Sequence, residues 1–199
     1  MIKRRSFLAA TLAGVGAWAL WALPAQALDE GVAKAHIEQS ISDVLGVVQS
    51  GGDASSKAVA LQSVMEKRAA MPQIARFAAG RAWRDMSEDQ QKRYTEAFSR
   101  AVSVAYARRF QNYAGEQVEV GDAKDRSKRG ILISSLVTQP QGAPIAVDWL
   151  VSDRPGRVVI ADIVIEGVSL LITQRDEIAG MLGKRGGDVD KLIEDLNAI

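Results

Sequence analysis

Apolar positions recur at helical spacing through the first half of the chain and at alternate positions through the second. Ile37, Ile41, Val44, Leu45 and Val48 follow the i, i+4, i+7, i+8, i+11 pattern of one helix face, and "SGGD" at 50–53 stops that helix. A second helix is predicted from Ala54 to Ala69, with Leu61, Val64 and Met65 on its inner side. Pro72 opens a short segment holding Ile74 and Phe77. In "MSEDQQKRY" (86–94), Ser87 and Gln90 form a capping box, and Glu88 and Asp89 sit at the positive end of the helix dipole. The long helix that follows, to about Tyr113, carries Tyr94, Phe98, Val102, Tyr106, Phe110 and Tyr113.

The period then changes to two. "QVEVGD" (117–122), "ILISSLVT" (131–138), "PIAVDWLVS" (144–152) and "RVVIADIVI" (157–165) read as strands, separated by the turn segments "KDRSKRG", "QPQGA" and "DRPG". Short connections make the neighbours antiparallel. Gly167 ends the last strand. From Val168 a helix runs to about Gly183, "RGGD" interrupts it, and a short helix with Leu192, Ile193 and Leu196 closes the chain. The order predicts one α+β domain with its helices on one face of a curved four-stranded antiparallel sheet.

Composition changes this picture at the N-terminus. Lys3, Arg4 and Arg5 precede an apolar run from Ala9 to Leu23 and the small-residue ending Pro24-Ala25-Gln26-Ala27. That order predicts a cleavable secretory leader over 1–27, a domain over 28–199, and a periplasmic location. "RRSFL" resembles a twin-arginine signal, and an ordinary Sec leader carrying two arginines fits the same letters. Without the leader, Lys+Arg falls from 25 to 22 against 24 acidic residues, a net charge near −2. No basic excess remains, which argues against a nucleic-acid partner. The chain has no cysteine, so its stability rests on its core without disulfides.

Candidate chemistry is sparse. The single histidine, His36, lies on the first predicted helix, far in sequence from any reactive group. A Cys/His pair is excluded, and a histidine-based metal site is disfavoured. "GKRGG" (183–187) lacks the spacing and the Lys-Ser/Thr of a phosphate loop and reads as a helix terminator. Asp148 alternates against Val147 and Trp149. Asp162 shares strand parity with Val158, Ile160 and Val164, which suggests a strand end or an arginine partner. Neither carboxylate has a partner that marks it as an acid or base, so no catalytic residue is expected.

Three segments resemble the MlaC family of periplasmic phospholipid-binding proteins, also called the toluene-tolerance auxiliary family. They are "FAAGRAWRDMSEDQQKRYTEAFSRAVSVAYARRFQNYAGE" (77–116), "ADIVIEGVSLLITQRDEIAGML" (161–182) and "GGDVDKLIEDL" (186–196). The Glu-Gly-Val-Ser-Leu element, with Asp162 before it, is the most specific part. The chain departs from the family pattern at Val159-Ile160-Ala161, at Thr173-Gln174-Arg175 and at Ile178, where the family favours aromatics or an Asn-Tyr-Arg triplet.

The resemblance implies a carrier, not an enzyme. It would move phospholipid between an inner-membrane ABC transporter complex and an outer-membrane lipoprotein–porin complex, with lipid as cargo and no cofactor. A branch of the family associated with hopanoids makes a polycyclic lipid the alternative cargo. A periplasmic adaptor that binds only proteins is a rival of a different class. The lining expected for the cargo is Ile133, Val147, Trp149, Val151 and Ile160 from the sheet, with Phe98, Val102 and Tyr106 from the long helix. Arg81, Arg84 and Arg175 are the candidates for meeting a phosphate.

Overall fold

The computed structural model describes residues 28–112, 115–126, 129–153 and 156–199; the expected leader and Tyr113 lie outside them. Two helices, α1 (Glu30–Gln49) and α2 (Ala54–Arg68), open the described chain, each started by an aspartate, Asp29 or Asp53, that accepts backbone N–H groups of the first turn. α3 (Met71–Ala79) follows, with Pro72 in its first turn, and a 3-10 turn (Ala82–Arg84) leads to α4 (Glu88–Arg109). The Ser87–Gln90 capping box forms as the sequence specifies.

The sheet is an antiparallel meander of β1 (Gln117–Asp125), β2 (Ile131–Thr138), β3 (Ile145–Ser152), β4 (Val159–Ile165) and β5 (Val168–Ser169), in that spatial order. α5 (Leu170–Lys184) and α6 (Val189–Asn197) end the chain, separated by Gly186 and Gly187, both at positive φ. The α+β reading holds, with one strand more than the four expected. Glu166 (φ 49°) and Gly167 (φ 80°) form a two-residue turn that sends the chain back beside β4. Val168 therefore pairs with Ile165 before Ser169 caps α5, where periodicity placed it in the helix.

A second correction concerns strand parity. β4 bulges, so that Leu150 pairs with Asp162 while the next residue, Val151, pairs with Ile160. Ile160, Ile163 and Ile165 therefore share the inner face, and Val164 and Asp162 turn to the outer one. Asp162 is not paired with an arginine. Its carboxylate accepts from the Ser169 hydroxyl (2.6 Å) and from the backbone N–H groups of Leu171 (3.0 Å) and Ile163 (2.8 Å).

Packing divides the apolar interior into parts. Ala33 and Ile37 of α1 lie on Ile131, Ile133, Val151 and Ile160 of the sheet. α3, α4, α5 and α6 form a separate helical core around Tyr94, Phe98, Ile178 and Leu192. A third, smaller group joins Ala58 and Leu61 of α2 to Ala107 of α4. The C-terminus of α2 is tied to the sheet: the Ala70 N–H donates to the Ile160 carbonyl (2.9 Å), and Arg157 donates to the carbonyls of Glu66, Lys67 and Ala69. His36 bonds the Arg68 carbonyl through Nε2 (2.9 Å), and burial holds its pKa below the ordinary histidine value.

Within the helical core the Tyr94 hydroxyl is buried with no hydrogen-bond partner among the described residues. Its ring meets Trp83 edge-on and tilts against Phe98. An unpaired buried hydroxyl costs about 1–3 kcal/mol. Tyr94→Phe is therefore expected to raise stability by about 1 kcal/mol, an increase of about 2–4 °C in melting temperature. A lower melting temperature in calorimetry would show that the hydroxyl has a partner in solution.

Candidate functional site

The aromatic stripe of α4 emerges from the core along its length. Tyr94 and Phe98 are 0% and 1% exposed, sealed by α3 and α6, whereas Val102, Tyr106 and Phe110 are only half-buried. The inner face of the sheet divides in the same way. Ile131, Ile133, Val151 and Ile160 are covered by α1, while Val137, Ile145, Trp149, Ile163 and Ile165 keep part of their surface open. No sheet residue belongs to either cluster that contains α4 residues, so the two half-buried surfaces are not zipped into one core. Val102 packs at the edge of the helical core, Tyr106 and Phe110 at the edge of the α2 group, and Trp149 and Ile163 at the edge of the cluster beneath α1, each leaving part of its surface uncovered.

α5 connects the two surfaces. It packs on β4, whose Ile163 is paired with Trp149, and its Glu177 lies within electrostatic reach of Tyr106 on α4. The Arg109 guanidinium stacks over the Tyr106 ring at 5.1 Å. Burial pushes the Tyr106 hydroxyl above the ordinary tyrosine pKa, and Arg109 partly offsets that shift. The side chain thus stays neutral at physiological pH, an apolar body with one polar tip. On the sheet, the Trp149 indole N–H donates to the Ser135 hydroxyl (2.8 Å), which donates in turn to the Val147 carbonyl (2.9 Å).

Of the eight lining residues expected from sequence, Val102, Tyr106 and Trp149 are half-buried, the first two on α4 and the third on the sheet. Ile133, Val151 and Ile160 pack beneath α1, Phe98 sits in the helical core, and Val147 is buried in mid-sheet. The three expected arginines are exposed but not grouped. Arg81 and Arg84 flank the turn before α4, about 30 Å along that helix from Tyr106 at 1.5 Å per residue. Arg175 stacks on Phe77 at 5.0 Å, beside Gly80. The cation against the half-buried aromatic surface is instead Arg109. Two grooves of about 450 and 420 Å³ run on the helical side between α2, α4 and α6 and contain none of the eight lining residues.

Residues 38–198 match the family model described as MlaC protein. The chain belongs to the MlaC family. It is 23% identical over 111 residues to the toluene tolerance protein Ttg2D of Pseudomonas putida, a match covering 56% of this chain and about half (52%) of that relative's length. Among solved structures it resembles the phospholipid-binding protein of Ralstonia solanacearum, which was determined in complex with a phospholipid. That likeness has a TM-score of 0.71 at 24% identity and covers 83% of this chain and 95% of the other.

The MlaC-like signature around Glu166 has a physical explanation in this fold. Asp162 anchors the first turn of α5, and Ser169 caps that helix by accepting the Ile172 N–H (3.2 Å). Glu166 bonds Ala146 twice: its carboxylate accepts the Ala146 N–H, and its own N–H donates to the Ala146 carbonyl. The polar residues of the signature thus build a joint between sheet and helix. Sequence reasoning missed Ile163 because the bulge reverses its parity. It missed Arg109 because Arg108 and Arg109 are equivalent as letters, although Arg108 turns to the Ile199 carbonyl (2.7 Å). Ser135 could have been found, since it shares parity with Ile131, Ile133 and Val137.

Proposed function

We propose that this chain is a periplasmic carrier of phospholipid. It takes acyl chains against the half-buried surface of Val102, Tyr106, Trp149 and Ile163 and shuttles lipid between an inner-membrane ABC transporter and an outer-membrane lipoprotein–porin complex. The observation that carries this reading is the separation of the α4 stripe from the open half of the sheet, each apolar and each incompletely covered. Membership of the MlaC family and the phospholipid bound by the Ralstonia protein support the choice of cargo. Residues 1–27 serve as the export leader, and Arg109 supplies a cation for the lipid phosphate.

The energetics suit a carrier. Sheltering one acyl chain of about 16 carbons from water gains about 12 kcal/mol, at about 0.8 kcal/mol per methylene. A bilayer offers the same chain nearly the same relief, so the net preference for protein over membrane is small. The site needs a dry apolar wall and no reacting group, and direction comes from the complexes at either end.

Incubation with vesicles of phosphatidylethanolamine and phosphatidylglycerol carrying a pyrene-labelled acyl chain, followed by flotation, tests the reading. Label is expected to remain with the protein after the vesicles float away. Recovery of protein without label overturns the reading in favour of a protein-binding adaptor.

A further inference from the structure

We infer that Ser135 is a positioning residue that fixes Trp149 and makes this part of the wall selective for unsubstituted hydrocarbon. The inference rests on the carrier reading and sharpens it to a cargo chemistry. Trp149 is the one tryptophan of the sheet, half-buried on its inner face and paired with Ile133 on one side and Ile163 on the other. An indole carries a single donor and no acceptor. Here that donor is consumed at 2.8 Å by a hydroxyl that is itself 7% exposed and spends its own proton on the Val147 carbonyl. The chain of bonds runs from the ring edge back into the sheet. It pins the edge and leaves the ring as apolar surface with no hydrogen-bonding capacity to offer a ligand.

The chemical consequence follows from how buried polar groups discriminate. A site with an open donor rejects partners that cannot satisfy it, because the donor is left unpaired. With the indole N–H satisfied inside the protein, a methylene chain meets no such cost. A hydroxyl or ester oxygen placed against Trp149 loses its water and finds no partner, so oxygenated chains are disfavoured. An alanine at position 135 reverses both terms: it strands the indole N–H on an apolar wall and opens it to an oxygenated chain. A threonine keeps the hydroxyl and suits a strand.

The test compares uptake of dipalmitoyl phosphatidylglycerol with uptake of an analogue bearing a mid-chain hydroxyl, for the wild type, Ser135→Ala and Ser135→Thr. The Trp149 indole N–H resonance, assigned by its loss in Trp149→Phe, is recorded for each protein. The wild type is expected to prefer the unsubstituted lipid by about tenfold, equivalent to about 1.4 kcal/mol. Ser135→Ala is expected to reduce that preference to less than about threefold, with the indole resonance shifted upfield and its exchange with solvent faster. Ser135→Thr is expected to restore both. An unchanged indole resonance and an unchanged preference in Ser135→Ala overturn the inference while leaving the carrier reading intact. Failure of the wild type to take up either lipid overturns the carrier reading and the inference together.

Discussion

Gly130→Ala is expected to destabilise the protein by about 3 kcal/mol or more, since an added Cβ is more crowded there than at any other described glycine. Gly130 has φ +115°, a conformation that L side chains rarely adopt, and a Cβ there would lie 2.0 Å from the Val151 carbonyl oxygen. Val151 is fully buried beneath α1 and pairs with both Ile131 and Ile160, so its backbone cannot move aside cheaply. Strained backbone accounts for about 1–3 kcal/mol and overpacking for a further 1–3 kcal/mol. Thermal unfolding should fall by about 6–12 °C at 2–4 °C per kcal/mol. A change below about 2 °C would mean that β2 and β3 are not joined as described.

The largest functional effect is expected from Ile163→Glu. The side chain lies on the inner face opposite Trp149 and is half-buried, so a carboxylate can reach solvent in the folded protein. With lipid present the same carboxylate is enclosed by hydrocarbon. Desolvating it costs several kcal/mol, and each 1.4 kcal/mol is a factor of ten in affinity. Lipid per protein after vesicle incubation is expected to fall at least about a hundredfold, with the far-ultraviolet circular dichroism unchanged. Normal loading by a folded Ile163→Glu protein would place the cargo elsewhere.

These two positions mark what periodicity can and cannot tell. The start of α4 was legible because its signal is local: the Ser87–Gln90 box acts within one turn. Four of the five strands and their order were legible from alternation and short turns, whereas the two-residue β5 was not. The face of Ile163 was not, because one bulged residue in β4 inverts parity, and nothing in "RVVIADIVI" announces it. Nor could the pattern separate Phe98 from Val102. Both continue one apolar stripe, and only the docking of α3 and α6 decides that the first is sealed and the second half-open.

The same limit applies to the sheet. Ile133 and Trp149 are cross-strand partners with the same in-facing parity, but Ile133 lies wholly beneath α1 and Trp149 stays half-buried. Where a helix lands on a sheet depends on contacts distant in sequence, such as the bond from the Ala70 N–H to Ile160 of β4 and the Arg157 bonds that tie the end of α2 to the segment leading into that strand. The Glu-Gly-Val-Ser-Leu element shows the opposite case. It is legible as a motif, but its meaning as a joint emerges only when Glu166 is seen bonded to Ala146 and Asp162 to Ser169.

The central claim is that lipid occupies the space between α4 and the open half of the sheet. Mass spectrometry of organic extracts from protein purified out of its native cells, under conditions that keep it folded, tests it most directly. The account predicts phospholipid near one molecule per chain, lost in Ile163→Glu. Extracts free of lipid from a folded, freshly purified protein would contradict it, and a polycyclic lipid in place of phospholipid would overturn the assigned cargo.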